Sequence, residues 1–218
     1  MTQHVPYIPA LGHQWLTPLF DPLLRWVLHE ATFKRQLVQQ ANIQPGQRVL
    51  DLGCGTATLT IMIQQAYPDA EVVGLDGDPD ILGLARRKAA RAGVTIRLEH
   101  GMAFQLPYPD QSFDRVVSSL VFHHLASVDK RRTFAEVFRV LRPGGELHIV
   151  DFGKPHTTYG RFIAPLAGRL EQAADNVNGF LPGMMRDAGF AQVEETIRFA
   201  TVVGTLTLYQ AGKPGDLR

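Results

Sequence analysis

The sequence predicts an α/β fold in which a parallel β-sheet is wound by helices on both faces. Short apolar segments rich in β-branched residues alternate with longer segments whose apolar residues recur every three or four positions. This alternation is typical of consecutive βαβ units, and ligands of such folds bind at the carboxyl ends of the strands. The residues that follow each predicted strand are therefore the first candidates for a site.

The first βα unit surrounds a glycine turn at residues 53–55. Residues 48–52 form a short apolar run typical of a strand buried on both faces. Gly53 and Gly55 allow a tight turn and a close approach by a ligand. The apolar stripe of a helix follows at Leu59, Met62, Ile63 and Ala66. The N-terminus of this helix is thus expected to point at whatever the turn binds.

The residues around the turn bear on the charge of its ligand. A dinucleotide fingerprint would have a third glycine where Thr58 stands, and the lysine of a P-loop is absent. Asp51, just before the turn, would repel a pyrophosphate but suits a ligand that carries an ammonium and a sulfonium. A structural role for Asp51, binding backbone amides of the turn, is the alternative. We expect a cationic ligand.

The second βα unit contributes a carboxylate at a strand tip. Residues 71–75 read as a strand that ends at Asp76, and the next helix has its own start, with Asp78 as N-cap and Pro79 at the first position. Gly93 is expected to end that helix. Asp76 is then left to hold the ribose diol of a bound nucleoside, as acidic residues at this place do in nucleoside-binding folds. The alternative is a solvated loop aspartate.

The alternation continues through the rest of the chain. Further strands are predicted over residues 94–99, 113–120 and 146–150, with a hairpin-like pair over 192–200 and 205–210. A turn is expected at 143–145. The basic run from Lys130 to Arg142 is expected to be a solvated helix face. The strand tips, where site residues should gather, are Gly53, Asp76, Met102, residues 118–124 and Asp151.

The composition favours a single domain, and its nearly balanced charge indicates no particular class of charged partner. The chain has 218 residues, 45% of them hydrophobic and 20% charged, with a formal net charge of +1. This balance gives no pull toward nucleic acid. The single cysteine, Cys54, excludes an intramolecular disulfide and a cysteine zinc cluster, and it favours the reducing cytoplasm. No metal site and no integral membrane segment are expected.

Two stretches are less regular. Residues 1–43 are expected to form an N-terminal helical arm or lid, in which Tyr7 and Phe20 would line the substrate site and Asp21-Pro22 would start a helix. Residues 152–180 are expected to be an insertion over the site. This insertion could serve as a lid, a dimer face or a contact with a membrane-dissolved substrate, so a monomer and a homodimer both stay open.

Five segments carry a family resemblance. They are VLDLGCGT at 49–56, GLD at 74–76, LPYPDQSFD at 106–114, HHL at 123–125 and RVLRPGGEL at 139–147. In this order and spacing they resemble the class I S-adenosylmethionine-dependent methyltransferases, most of all the branch with the ubiquinone and menaquinone C-methyltransferases. The resemblance implies one methyltransferase domain over 1–218, built on a doubly wound, Rossmann-like seven-stranded sheet of order 3-2-1-4-5-7-6 with strand 7 antiparallel.

The resemblance also implies roles by position. The methionine part of the cofactor would be held by Gly53, Cys54, Gly55 and Thr56, with Asp51 orienting its ammonium end and the backbone near Ser118 facing its amino group. Asp76, with Gly77 beside it, would take the ribose hydroxyls, and Met102 and Ala103 would border the adenine. Two residues depart from the usual pattern: Ala57 stands where glycine is common, and Met102 stands where an aspartate often binds adenine.

The acceptor side is less defined. His123 and His124 follow the fourth strand, where a substrate would meet the methyl group, and either could remove a proton from an oxygen, nitrogen or activated carbon. Structural packing is the alternative for both, and Cys54 is expected to pack rather than act as a nucleophile. We expect methyl transfer from S-adenosylmethionine to a small apolar or aromatic molecule. A nicotinamide-dependent oxidoreductase and a non-catalytic cofactor-binding homologue are the rival hypotheses.

Overall fold

The protein forms one mixed β-sheet with helices on both faces, as predicted. The computed structural model describes residues 30–157, 172–202 and 204–215. The strands in these ranges are β1 Arg48–Leu52, β2 Glu71–Asp76, β3 Arg97–His100, β4 Phe113–Ser119, β5 Leu141–Phe152, β6 Ala191–Thr201 and β7 Gly204–Gly212. Their order is β3-β2-β1-β4-β5-β7-β6. The first five are parallel, and β7 is antiparallel to both of its neighbours.

The helices bury opposite faces of the strands. They are α1 Glu30–Ala41, α2 Thr58–Ala66, α3 Pro79–Arg91, α4 Ser127–Val140, α5 Ala174–Val177 and α6 Leu181–Asp187, with a 3₁₀ turn at Phe122–His124. Val117 and Val150 pack with α1 and α2, whereas Val116 and Ile149 pack with α4 and α6. Successive residues of a strand point to opposite faces, so central strands buried on both sides are mostly apolar.

The start of α3 shows how closely local sequence determines the chain path near the site. The Asp78 carboxylate accepts hydrogen bonds from the N–H groups of Asp80 and Ile81, at 2.8 and 3.2 Å, and Pro79 occupies the first helical position. After the helix, Gly93 adopts a left-handed φ of 66°. The predicted N-cap and stop are both confirmed, and Asp76 stands directly before them at the strand tip.

The predicted turn at 143–145 is wrong. Those residues lie inside β5, which begins at Leu141 immediately after α4. Lys213, just beyond β7, exchanges backbone hydrogen bonds with Gly144 and Gly145 at 3.0 and 2.8 Å, so this part of β5 is paired rather than looped. The left-handed Gly144, with a φ of 78°, and a register shift between Phe113 and Arg115 accommodate the extra residues as a bulge.

Two other predicted strand bounds shift. β3 begins at Arg97 rather than at 94, because Val94 and Ile96 pack against α2 and α3 before the ladder starts. β4 ends at Ser119, since Leu120 has a left-handed φ of 60° that turns the chain out of the sheet.

The expectation of a solvated basic face on α4 is wrong for Lys130. Its side chain is fully buried, and its ammonium donates to the Gln172 carbonyl at 2.6 Å and to an Asp175 carboxylate oxygen at 3.2 Å. Arg139 is also engaged, with Glu136, Asp110 and two loop carbonyls. Arg131 and Arg132 do lie at the surface.

Several predictions fall on residues outside the described ranges. These are the helix start at Asp21-Pro22, the substrate-lining roles of Tyr7 and Phe20, and residues 158–171 of the predicted insertion. None of the helices in the described ranges is long and apolar enough to cross a membrane. In the same ranges, no group of three or more histidine, cysteine, aspartate or glutamate residues could hold a metal ion.

Candidate functional site

The two glycines of the turn after β1 have different surroundings: Gly53 is closely packed, whereas Gly55 is open. Gly53 and Gly55 have left-handed φ values of 71° and 53°. A Cβ on Gly53 would lie 2.4 Å from a methyl carbon of Val121, whereas a Cβ on Gly55 would meet nothing within 4 Å. Gly53 is therefore required by its contact with the loop after β4, and Gly55 leaves space where a ligand could approach the backbone.

Ala57 completes the turn in an unfavourable conformation. Its φ of 60° and ψ of 29° are left-handed, which costs a residue with a side chain about 1–2 kcal/mol. Its methyl group is fully buried with Ile61, Ala85 and Ala89. Packing against α3 thus offsets the backbone strain, and the methyl group faces the core.

Asp76 joins this turn to the start of α3. One carboxylate oxygen accepts the Gly55 N–H at 2.8 Å, and the other accepts the Asp78 N–H at 2.9 Å. Asp76, which is not the N-cap of α3, therefore also supports the glycine turn and the start of α3. Burial raises the pKa of Asp76, with these backbone N–H groups acting in the opposite direction. Since a carboxylate has about four acceptor positions, Asp76 keeps acceptor capacity for a ribose hydroxyl.

The loop that should border the adenine lies beside Asp76. The Gly101 N–H donates to the Asp76 carbonyl at 3.0 Å, and Met102 and Gln105 form a short bridge. Ala103 packs against the hydrophobic cluster of β1, β4 and α4. Next to Asp76, the Gly77 carbonyl contacts the His100 ring at 3.1 Å. The predicted ribose and adenine residues are thus brought together.

Asp51 is buried beneath the turn. Its side chain accepts a hydrogen bond from the Thr60 hydroxyl on α2 at 2.6 Å. Burial raises its pKa from 3.8 to about 6, although the Thr60 bond and the charge of Lys34 lower it. The carboxylate therefore links β1 to α2, and it places a negative potential behind a turn that could bind a cationic group.

We predict that Asp51→Asn stabilises the cofactor-free protein at pH 7. The native-state pKa lies above the unfolded value, so the native state holds the proton more tightly, and unfolding becomes easier as the pH rises from about 4 through 6. The full penalty is about 3 kcal/mol, from about 1.4 kcal/mol per pKa unit. Asparagine keeps an acceptor for Thr60 without the charge.

Urea unfolding at pH 7 and pH 4 tests this prediction. The gain from Asp51→Asn should be present at pH 7 and largely lost at pH 4, where the wild-type carboxyl is protonated in the native state and about half protonated in the unfolded state. The exposed Asp69→Asn is the matched control. A variant that is less stable than wild type at pH 7 would show that the buried carboxylate stabilises the fold.

The other residues of the turn are held by packing and side-chain bonds. The Thr56 hydroxyl accepts from the ammonium of Lys88, a contact between the turn and α3 that sequence reasoning missed. The Ser118 hydroxyl donates to the Leu52 carbonyl at 2.9 Å and is fully buried, so only its backbone could face a ligand. Cys54 is buried, and burial holds its thiol pKa far above the usual range. The thiol is protonated, which fits a packing role.

The second half of the site is a histidine–carboxylate pair. His123, in the 3₁₀ turn after β4, lies with Nδ1 2.9 Å from a carboxylate oxygen of Asp151 at the end of β5. The His123 ring packs edge-on against Phe152, and His124 lies beside it with ring centroids 4.0 Å apart. The side chain of His123 remains 13% exposed while that of Asp151 is fully buried.

The hydrogen bonds around Asp151 keep its carboxyl group ionised. Its two oxygens accept N–H groups from Val121 at 3.0 Å, Phe122 at 2.8 Å and Phe152 at 2.7 Å, and the side-chain amide of Asn176 at 3.0 Å. Burial alone would raise its pKa, but His123 and the hydrogen bonds hold the pKa below its ordinary value. An ionised carboxylate only accepts hydrogen bonds, so the shared hydrogen lies on Nδ1 of His123 and the lone pair on Nε2.

The two halves meet at one edge of the sheet. Val121 touches Gly53 of the glycine turn, and the N–H of the same residue donates to Asp151. Val121 therefore connects a turn that could hold a cationic ligand to the carboxylate that orients His123. This arrangement suits a reaction in which a group moves from that ligand to an acceptor that loses a proton.

Sequence reasoning placed Asp151 at a strand tip but gave it no role. Its partner His123 lies on a different element, and only the pairing of β4 with β5 brings them together. Asn176 was missed altogether, and Lys130 was assigned to a solvated helix face. A buried amide on a short helix and a buried ammonium within a basic run leave no local signal in the sequence.

Comparisons with known proteins give a family model and curated relatives. A family model described as a methyltransferase domain matches residues 49–145. The chain is 32% identical over 207 residues to a demethylmenaquinone methyltransferase of Thermus thermophilus, covering 84% of this chain and 93% of that protein. A demethylmenaquinone methyltransferase of Deinococcus radiodurans is also 32% identical over 207 residues, covering 90% of this chain and 84% of that protein.

Solved structures share the fold at lower identity. The YcgJ protein of Bacillus subtilis superposes with a TM-score of 0.68 at 20% identity, covering 83% of this chain and 97% of that chain. The S-adenosylmethionine-dependent methyltransferase SibL superposes with a TM-score of 0.70 at 21% identity, covering 95% of this chain and 60% of that chain.

Proposed function

The chain belongs to the class I S-adenosylmethionine-dependent methyltransferases, and from this we propose that its acceptor is a small aromatic molecule with an ionisable hydroxyl, of the hydroquinone type. The observation that carries the proposal is His123, oriented by the buried Asp151 with its basic nitrogen left over for a substrate. Curated relatives named for a demethylated quinone support the same class of acceptor.

The glycine turn and the tips of β2 and β3 would hold the cofactor. Gly55 presents an open backbone position for the methionine part, Asp76 keeps acceptor positions for the ribose, and the loop at Met102 and Ala103 would border the adenine. The buried carboxylate of Asp51 favours a cation at the turn. S-adenosylmethionine, when bound, supplies a methyl group activated by its sulfonium.

His123 would hold and move the acceptor's proton. Nε2 takes the hydrogen of the aromatic hydroxyl, and the electron pair left on oxygen makes that oxygen, and the ring carbon next to it, nucleophilic. A ring carbon that takes the methyl group gives up its hydrogen as the oxygen regains one, so one proton is released whichever atom is methylated. Asp151 stabilises the positive charge that develops on the imidazole.

The magnitudes of these effects indicate that positioning accounts for most of the rate acceleration. A well-placed general base contributes about 10²–10⁴-fold in rate. Alignment of nucleophile, methyl group and leaving group supplies about 7–11 kcal/mol. The site therefore needs only one oriented base, and the rest of the acceleration comes from holding the acceptor in line.

The rival hypotheses are less well supported. The family and fold comparisons do not favour a nicotinamide-dependent oxidoreductase, which would also place phosphate near Asp51. A non-catalytic homologue would have no use for a histidine whose tautomer is fixed by a buried carboxylate. We further propose a cytoplasmic protein without a nucleic-acid partner, in keeping with its single buried thiol and its net charge of +1.

Labelled methyl transfer tests the proposed acceptor class. The purified protein is incubated with methyl-labelled S-adenosylmethionine and 1,4-naphthohydroquinone, or with the oxidised 1,4-naphthoquinone, which has no hydroxyl hydrogen to lose. We expect labelled product from the reduced form alone. Equal labelling of both forms, or labelling of amines and thiols in a metabolite extract but not of hydroquinones, would contradict the proposal.

A further inference from the structure

A buried amide contacts the carboxylate that orients His123. Asn176, on the short helix α5, is fully buried, and its Nδ2 donates to Asp151 at 3.0 Å. The oxygen that accepts this bond is the same one that contacts His123 Nδ1. We propose that Asn176 is a positioning residue, which acts on His123 through Asp151. This inference rests on the proposed function of His123 as the base.

The orientation of the amide is fixed by electrostatics. If the side chain were flipped, its carbonyl oxygen would face the Asp151 carboxylate, so the nitrogen must point to Asp151. The carbonyl oxygen of Asn176 is buried and has no hydrogen-bond partner among the described residues. Leaving such an atom unsatisfied disfavours folding, and leucine, of similar branched shape, would avoid it. Asn176 is thus better explained by its bond to Asp151 than by stability.

The segment that carries Asn176 is attached to the site at separate points. The Gln172 N–H donates to the backbone carbonyl of His123 at 3.2 Å. The buried ammonium of Lys130 binds the Gln172 carbonyl and the Asp175 carboxylate, so α4 holds both ends of the short stretch that precedes Asn176. The segment 172–176 therefore contacts both the turn that carries His123 and, through Asn176, the Asp151 carboxylate that orients it.

Few other charged or titratable groups face the pair in the described part of the chain. His124 stacks on His123 from the same turn, and its charge also acts on Asp151. Lys130 of α4 attracts Asp151 electrostatically, and the buried phenol of Tyr209 on β7 lies on the same side of the sheet as Asp151. Among these side chains, Asn176 is the one that does not titrate, and it donates directly to the orienting oxygen, which also accepts the Phe152 N–H at 2.7 Å.

The test combines kinetics with the tautomer of His123. Asn176→Leu is expected to lower kcat for methyl transfer by about 10-fold or more, as removing a bond behind an oriented histidine does in metal sites. Nitrogen NMR of histidine-labelled protein should show the hydrogen of His123 on Nδ1 in wild type, and a mixture of tautomers in Asn176→Leu. The matched control is Asn178→Leu, an exposed asparagine at the end of the same helix, which should match wild type in both measurements.

The outcomes separate this inference from the proposed function. If His123→Asn abolishes transfer while Asn176→Leu keeps wild-type kcat and tautomer, the positioning role is wrong and the base assignment stands. If His123→Asn retains full activity, the base assignment falls, and the tautomer measurement still decides whether Asn176 acts on His123. Asn176→Ala, which introduces no extra bulk, replaces Asn176→Leu if thermal unfolding shows that leucine is not accommodated.

Discussion

Asp76→Ala is expected to weaken the binding of S-adenosylmethionine by at least about 100-fold. A hydrogen bond to a charged group contributes about 1.5–3 kcal/mol, so losing two bonds to a ribose corresponds to about 10²–10⁴ in affinity. The same variant frees the Gly55 N–H, which Asp76 now accepts at 2.8 Å, so the glycine turn loses a support as well. Both effects act in the same direction.

Calorimetric titration with S-adenosylmethionine and S-adenosylhomocysteine measures this loss. Asp80→Ala, an exposed carboxylate in the first turn of α3, is the control and should bind as wild type does. Circular dichroism of Asp76→Ala should match wild type, because the freed N–H groups of Gly55 and Asp78 lie on partly exposed residues where water can replace the carboxylate. Retained affinity in a folded Asp76→Ala would refute the ribose role.

His123→Asn is expected to leave cofactor affinity unchanged and to lower kcat by about 10²–10⁴-fold, the range for removing a general base. Asparagine keeps a donor for Asp151 but has no basic nitrogen, so the buried carboxylate stays partnered. His124→Asn should cost less, because it is His123 that contacts Asp151 at 2.9 Å. Single-turnover rates with saturating hydroquinone, alongside calorimetry, separate the two parameters.

The relative size of the two histidine effects is itself decisive. A larger loss of kcat in His124→Asn than in His123→Asn would assign the base to the neighbouring ring. Equal and small losses in both variants would favour the packing role that the sequence left open for this pair.

Those features of the fold that depend on local signals were predictable. The glycine turn, the Asp78 cap and the βα alternation each lie within a few consecutive residues, and all three are confirmed. The bulge in β5 was not, because Pro143-Gly144-Gly145 resembles a turn and only pairing with Lys213 after β7 keeps it in the sheet. At this position, pairing with Lys213, which is distant in sequence, overrides the local turn propensity.

The residues of the site also differ in how far the local sequence predicts them. Gly53, Asp51 and Asp76 belong to one continuous stretch, and their placement together follows from the order of β1 and β2. The pairing of His123 with Asp151, and of Asp151 with Asn176, depends on contacts between separate elements. Lys130 was misread for the same reason, since its partners Gln172 and Asp175 belong to a distant segment that covers it.

The pH dependence of single-turnover methyl transfer to 1,4-naphthohydroquinone tests the central claim most directly, that His123 removes the acceptor's proton beside a bound S-adenosylmethionine. A base that works in its neutral form gives a rate that rises tenfold per pH unit in acid and then levels off. We predict this rise and plateau in wild type. In His123→Asn we predict a rate that is about 100-fold lower or more and that continues to rise with hydroxide concentration. The same rise, plateau and rate in both proteins would contradict the account.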